Sequence, residues 1–459
     1  MTTLSPNTKS TRQLLEKIGL SPVAAGHKDK LFADASQALV SMGGSGGPLS
    51  RWWVPGRLEF MGKHTDYCAG RSILAAVERG VCFCSSPRTD SRLRIVDAAS
   101  GDVAELQVCA QPTAPAQGWA LYPAAVARRL AAVFPGPLCG ADVAFISDLP
   151  PAAGLSSSSC LIVGFFLLLA KSNGDFLGTV HGPKLQDRVA LGEFLGAVES
   201  GRAWRGLASD AGVGTQGGSQ DQTAILSSTA GSLTAFDFFE ARKTAVVKLP
   251  AELTLVIATS GVVARKTGAA MAAYNNVSQR AAACLAFWRD LVKQPGENME
   301  AMFRANSENL LRLRAALQAH GEKPMAGFSG TDLLARVDQF DAESHRLIPA
   351  AITAMRAGRW VDLGDIVDES QQLADTCLHN QVEQTRRLAA TARSLGAVAA
   401  CAFGAGFGGA VWALVETSRA EAFTNAWQNS YGRKFPDLQP AAGFFQTALG
   451  PPATELVCG

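Results

Sequence analysis

The chain has 459 residues, 47% of them hydrophobic, with 42 Lys and Arg against 40 Asp and Glu for a net charge of +2. That length supplies two or three cores, and so even a charge balance excludes a general electrostatic case for nucleic acid or an anionic membrane; any anion has to be held locally. The ten cysteines form no C-x-x-C pair, and several lie in apolar runs (Cys160, Cys284, Cys401), which excludes zinc spacing and fits reduced thiols. The first residues lack an apolar signal core and Leu161 to Ala170 is too short to span a bilayer, so a soluble, cytoplasmic protein is expected.

Residues Ser10 to Val40 carry apolar side chains at helical spacing (Leu14, Leu15, Ile18, then Leu31, Ala35, Leu39). They read as a helical lead-in over residues 1–48, ending in the Gly- and Ser-rich joint at Met42 to Leu49. Arg51 to Val54 predicts a short strand, Pro55-Gly56-Arg57 a turn, and Leu58 to Met61 a further strand-like stretch. Between Gly62 and Gly70 stands Lys63-His64-Thr65-Asp66. Amine, imidazole and carboxylate in so short a span can each fix a hydroxyl of a polyhydroxylated ligand, the alternative being a charged surface turn. Ser72 to Cys84 reads as a core strand, Leu93 to Val96 with Val103 to Val108 as a hairpin, and Trp119 to Phe134 as a helix stopped by Pro135-Gly136.

The apolar strand Gly140 to Ile146 leads into Asp148-Leu-Pro-Pro-Ala-Ala-Gly-Leu-Ser-Ser-Ser-Ser-Cys160, and an apolar helix follows at Leu161 to Ala170. A glycine and four hydroxyls at a helix start make an anion seat, because the first N–H groups of a helix lack intrahelical partners and lie at its positive end. Taken alone, the cluster is equally a serine-rich N-cap without a ligand. Lys184 to Ala203 predicts a second amphipathic helix with Glu199 near its end, and a glycine-rich loop then delivers Ser219-Gln220-Asp221-Gln222. Asp221 in isolation is a helix-cap carboxylate.

Strands follow at Leu233 to Phe236 and Leu253 to Thr259, then helices at Ala269 to Trp288, Met299 to Gln318, Asp332 to Arg356 and Val361 to Leu395, whose Leu and Ala stripes are packing faces. Among these helices His320, His345 and His379 stand alone, as surface or satisfied core residues. Phe403-Gly404-Ala405-Gly406-Phe407-Gly408-Gly409-Ala410 precedes one more apolar strand. Four glycines in six residues allow close backbone approach, to a ligand or to a neighbouring loop.

Taken together, the Gly-Lys-His-Thr-Asp-Tyr box after Pro55-Gly56-Arg57, the serine loop and the late glycine segment resemble the GHMP small-molecule kinases. The box is most similar to that of the galactokinases, whose usual form reads Gly-Arg-Val-Asn-Leu-Ile-Gly-Glu-His-Thr-Asp-Tyr. Ser219-Gln220-Asp221-Gln222 is similar to the family's Met-Asp-Gln segment and Tyr274-Asn275 to its sugar-contacting Tyr-Asn. The resemblance implies an α/β, two-layer α+β fold of two domains, residues 49–230 carrying the box and phosphate loop and residues 231–459 forming a ferredoxin-like domain with extra helices. ATP and sugar would meet in the cleft between them. It implies transfer of phosphoryl from ATP to a sugar hydroxyl, the anomeric one by analogy. Asp221 would take or orient the proton and Arg57 would stabilise the transferring group. Gly154, Leu155, Ser156, Ser157, Ser158 and Ser159 would cradle ATP, Ser158 and Glu199 would hold Mg²⁺, and His64, Asp66 and Tyr274 would hold the sugar. Gly404, Gly406, Gly408 and Gly409 form the structural glycine motif. The partners are thus a small sugar and ATP, with no nucleic acid or membrane and no oligomeric state implied.

The sequence departs from that pattern at three places. Lys63 replaces the family's Glu, so a substrate carboxylate would find a cation there; this makes a uronic acid such as galacturonate the second substrate, unless Lys63 turns away to pair with Glu59 or another acid. Glu59 stands where the family has Asn, and the connection from Glu199 to Asp221 is long. A reading from another class, a silent sugar- and ATP-binding sensor, conflicts with the full-length serine loop and the presence of Arg57 and Asp221. A non-sugar alcohol conflicts with the His-Thr-Asp-Tyr cluster.

Overall fold

The longest strand-like apolar run, Ser72 to Cys84, becomes the middle of a 17-residue strand on which the first sheet is built. The computed structural model describes residues 10–43, 49–112, 115–134, 136–151, 153–174, 185–262, 268–293 and 296–457. In chain order the strands are β1 (Ser50–Met61), β2 (Arg71–Pro87), β3 (Arg92–Asp97), β4 (Val103–Gln107), β5 (Ala141–Ser147), β6 (Ser232–Asp237), β7 (Arg242–Lys248), β8 (Leu253–Thr259), β9 (Ala399–Phe403), β10 (Ala410–Glu416), β11 (Gly443–Thr447), β12 (Leu449–Gly450) and β13 (Thr454–Glu455). The first sheet runs β13-β1-β2-β5-β3-β4, with β12 and the hairpin β6-β7 also joined to β2. Only the β3–β5 pair is parallel among its described ladders. The second sheet is antiparallel, in the order β11-β8-β10-β9.

The turn expected at Pro55-Gly56-Arg57 is instead a bulge inside β1, where the pairing with β2 shifts register between Pro55 and Arg57. A bulge re-aims a side chain without ending the strand, and Gly56 provides room: a methyl there would come within 3.0 Å of the Leu155 carbonyl. The long helix expected over Val361 to Leu395 is broken. It runs Trp360–Leu373, continues through Ala374–Leu378, stops at His379 in the left-handed region, and resumes at Glu383–Ser394. Met299 to Gln318 likewise divides, at Met299–Ala305 and Glu308–His320. The division expected after residue 230 would separate β6-β7 from the sheet to which they hydrogen-bond.

Burial follows from strand alternation. On β8, Leu255 and Ile257 enter a core shared with the first sheet, while Val256 and Ala258 face Leu388 and Trp427 on the helices Glu383–Ser394 and Ala420–Lys434. A strand covered on both faces is apolar where it is buried, as the run Leu255 to Ala258 is here. Phe60 of β1 stacks on Trp412 of β10 with ring centroids 4.1 Å apart, fastening one sheet to the other. The lead-in forms α1 (Thr11–Ile18) and α2 (Pro22–Ser41), and Phe32, Ala35 and Leu39 pack with Trp53, Cys82, Cys84 and Ile146 of the first sheet. Among the described residues, no helix is long and apolar enough to cross a membrane.

The helices inserted between β8 and β9 have a definite task. Gly330–Asp341 packs with Cys68 of the box through Phe340 and Leu333. Its Arg336 donates to the His64 carbonyl at 2.5 Å, and its Gln339 donates to the Lys63 carbonyl at 3.1 Å. His64 has φ +56°, a costly value for a residue with a Cβ. The inserted helices hold it there.

Candidate functional site

Arg57 projects from the bulged part of β1, and Asp221 lies in the first turn of the eight-residue helix Gln220–Ser227. The guanidinium donates to Asp221 Oδ1 through Nε at 2.7 Å and also through Nη2, while Nη1 donates to the Gly154 carbonyl at 3.3 Å. Burial opposes the Arg57 charge, but Asp221 and Glu59 outweigh it and raise the pKa. The cation is therefore fixed in both charge and direction. Both side chains line one cavity.

The serine loop forms a wall of that cavity through Gly154, Ser156, Ser157, Ser158 and Ser159. Ser156 adopts the left-handed region at φ +61° as the residue before the helix Ser157–Ser172, and its buried Oγ has no hydrogen-bond partner among the described residues. A strained residue with an unsatisfied hydroxyl at a helix N-terminus is suited to an anionic ligand. Leu155 does not line the cavity. Its side chain is in the core, and its carbonyl accepts from the Arg57 N–H at 3.1 Å. Glu199, near the end of the helix Arg188–Ser200, accepts from Ser159 Oγ at 2.8 Å and from Gln222 Nε2 at 2.6 Å. Its helix can lie against Gln220–Ser227 because Gly192 and Gly196 are bare: a methyl on Gly196 would meet Ser219 Cα at 2.7 Å.

The long connection after Glu199 does not displace it. The excursion closes on itself, with Asp210 N–H on the Gly201 carbonyl at 2.8 Å and Val213 N–H on the Glu199 carbonyl at 2.9 Å. Arg129 fastens it by donating to the carbonyls of Arg202 and Ala208.

The late glycine segment joins the site from the second sheet. Gly404, Gly406, Gly408 and Gly409 all have positive φ, and a methyl on Gly404 would stand 3.3 Å from Gly154 Cα. Of these four, each lines the cavity. His64 Nε2 lies 3.2 Å from the Ala405 carbonyl and Nδ1 lies 3.1 Å from Tyr67 Oη. A carbonyl only accepts, so Nε2 carries the proton and Nδ1 accepts from the tyrosine. Burial, then Arg336, pull the His64 pKa down to about 3, which keeps the ring neutral. His64 therefore lines the cavity with both nitrogens engaged by protein, and ties the box to the glycine segment.

Asp66 and Tyr274 also line the cavity. Asp66 Oδ2 accepts from the Gln220 N–H at 3.0 Å, in a space that exists only because residue 218 is glycine; a methyl there would collide with the carboxylate. The Tyr274 ring lies 5.8 Å from that of His64. Lys63 is a correction. It is 2% exposed and absent from the cavity wall, its ammonium 2.8 Å from Cys401 Sγ in β9. Burial opposes its charge; Cys401, Glu343 and Glu59 more than restore it. Its backbone carbonyl is held by Gln339 Nε2 at 3.1 Å.

Glu59, Gln220, Gln222 and Tyr122 line the cavity and were not assigned from the sequence. Gln220 donates its side-chain amide to Glu59 and its backbone N–H to Asp66, next to Asp221. Polar residues either side of Asp221 were the available signal.

With this geometry in view, three family models match the chain: the galactokinase galactose-binding signature over residues 44–87, the GHMP kinases N terminal domain over 122–229 and the GHMP kinases C terminal model over 351–434. They place the chain in the class of GHMP kinases. A galactokinase from Roseiflexus is 30% identical over 383 residues, covering 82% of this chain and 86% of its own. One from Chloroflexus aurantiacus is 29% identical over 402 residues, covering 85% and 91%. The chain belongs to the galactokinase family, and it is an ATP-dependent phosphotransferase. The crystal structure of Lactococcus lactis galactokinase complexed with galactose has the same fold, with a TM-score of 0.71 at 20% identity over 88% of this chain and 95% of that one. Methanococcus jannaschii mevalonate kinase matches at 0.50 and 12%, over 88% and 99%.

Proposed function

We propose that the chain transfers the γ-phosphoryl group of ATP to the anomeric hydroxyl of a neutral hexose, galactose or a near relative, giving a sugar 1-phosphate. The observation that carries this reading is the Arg57–Asp221 pair, in contact with the serine loop through Gly154 and, by way of Gln220, with the polar wall of Glu59 and Asp66. The sugar oxygen attacks the γ-phosphorus, the bond to the β-phosphate oxygen breaks, and ADP leaves. The attacking hydroxyl gives its proton to Asp221, or is aligned by it. Such a transfer needs alignment and charge neutralisation more than covalent help, and Arg57 supplies a fixed cation for the equatorial oxygens. Backbone N–H groups and hydroxyls from Gly154 to Ser159 receive the phosphates.

Ser158 and Glu199 both line the cavity, and no group of three His, Cys, Asp or Glu residues among the described residues is placed to hold a metal by itself. One carboxylate, one hydroxyl and the oxygens of a substrate suit Mg²⁺, which when bound neutralises phosphate charge. Asp66 and Tyr274 hold sugar hydroxyls, and His64 orders the wall behind them. The uronic acid reading depended on Lys63; with that ammonium against Cys401 and two carboxylates on the wall, a neutral sugar is favoured. The test is ADP release from the purified chain with ATP, Mg²⁺ and a panel of hexoses and hexuronates. Sugar-dependent ADP release with a neutral hexose supports the proposal; release with hexuronate alone, or none with any sugar, overturns it.

A further inference from the structure

We propose that Glu59 is a specificity-determining residue of the sugar subsite, its Oε1 accepting a hydrogen bond from one hydroxyl of the substrate. The inference rests on the sugar-kinase reading above and assigns it a further contact.

Glu59 lies two residues beyond Arg57 on β1, and both line the cavity. It is only 4% exposed. Its Oε2 is taken by the Gln220 side-chain amide, whereas Oε1 is buried with no hydrogen-bond partner among the described residues. A buried carboxylate oxygen left without a donor is costly, so its persistence on a cavity wall implies a donor that arrives with the ligand. Burial, in spite of Arg57 and Lys63 nearby, raises its pKa, as expected of a carboxylate still short of donors. The placement suits the reaction as well. Gln220 binds Glu59 with its side chain and Asp66 with its backbone, and the next residue is Asp221. A sugar presenting one hydroxyl to Asp221 therefore lays its ring against both carboxylates. An acceptor there selects a hydroxyl donor and repels a substrate carboxylate.

The test uses the full chain with saturating ATP, the hexose that wild type turns over best and that hexose's monodeoxy analogues. Wild type is expected to lose at least tenfold in kcat/KM on one analogue. Glu59→Ala is expected to raise the sugar KM at least tenfold with the ATP KM within twofold, and to lose less than threefold on that same analogue. Glu59→Gln keeps an acceptor without its charge and is expected to lie between the two. Should the alanine variant not fold, the glutamine variant decides: discrimination reduced by at least threefold supports the contact. An unchanged deoxy-sugar profile in a folded variant, or parallel losses for ATP and sugar, overturns it while leaving the kinase intact. No turnover of any hexose by wild type removes the sugar-kinase reading itself, and Glu59's role with it.

Discussion

Asp221 and Arg57 hold each other before any substrate arrives. The carboxylate is aimed by two guanidinium N–H groups, and the cation is prevented from reaching into solvent. Asp221→Asn keeps the shape and loses the carboxylate proposed above to take or align the proton, so kcat is expected to fall by about 100-fold or more, with the melting temperature little changed. Arg57→Ala is expected to cost at least as much, and to destabilise as well by removing the buried cation that donates to Asp221 and whose charge offsets Glu59. Steady-state kinetics with thermal melts check both. Gly218 makes a different kind of contribution. Gly218→Ala would push the Asp66 carboxylate aside, so the sugar KM is expected to rise about tenfold or more while the ATP KM stays near wild type. Lys63→Met makes the opposite prediction: the buried side chain lies among Cys401, Glu343 and Glu59, so the loss is expected in stability, about 3 kcal/mol in denaturant titration.

At the scale of elements, the inserted helices are bound to one another by a charged cluster that gives them a pH dependence. His345 sits 2.8 Å from Glu300 on Met299–Ala305 and 2.9 Å from Asp341 on Gly330–Asp341. Burial pulls its pKa down, but hydrogen bonds and charge from Asp341 and Glu300 outweigh that and raise it from 6.5 to about 9. A raised histidine pKa stabilises fully below the unfolded value and loses that effect as pH climbs through the folded value. The chain is therefore expected to lose melting temperature between pH 6.5 and 9. His345→Gln should be less stable than wild type at pH 6 and nearly equal above pH 9.5, beyond that folded value of about 9. Because Gly330–Asp341 also carries Arg336 and Gln339, which hold the carbonyls of His64 and Lys63, sugar KM should rise in that variant before ATP KM does.

At the scale of the molecule, the end of the chain returns to its beginning. Thr454 and Glu455 pair with Trp53 and Trp52, Leu449 and Gly450 pair with Val77 and Ala76, and the Ala453 N–H reaches the Ile225 carbonyl at 2.7 Å on the helix that begins with Gln220 and Asp221. Removing residues 449–459 is expected to yield a chain without a cooperative denaturant transition, because an edge of β1 and part of β2 lose their partners. The cavity gathers a few legible residue types. Arg57, the serine loop, Asp221 and the four late glycines could be found in the sequence because each needs a distinctive local composition: a fixed fork, small hydroxylated residues at a helix start, a carboxylate before a helix, or backbone with φ above zero. Long apolar runs such as β2, β5 and β8 were legible too, since burial on one or both faces writes its own periodicity, whereas the breaks within Met299–Gln318 and Val361–Leu395 and the short strands β11, β12 and β13 carried no such signal. What composition could not express was direction. Whether position 63 or position 59 faces the cavity depends on a register shift in β1 and on Arg336 and Gln339, some 270 residues away in the chain. Local sequence determines which groups a segment carries, whereas the side to which each group turns is decided by packing against distant segments, because only they set the space and the hydrogen-bond partners available to it.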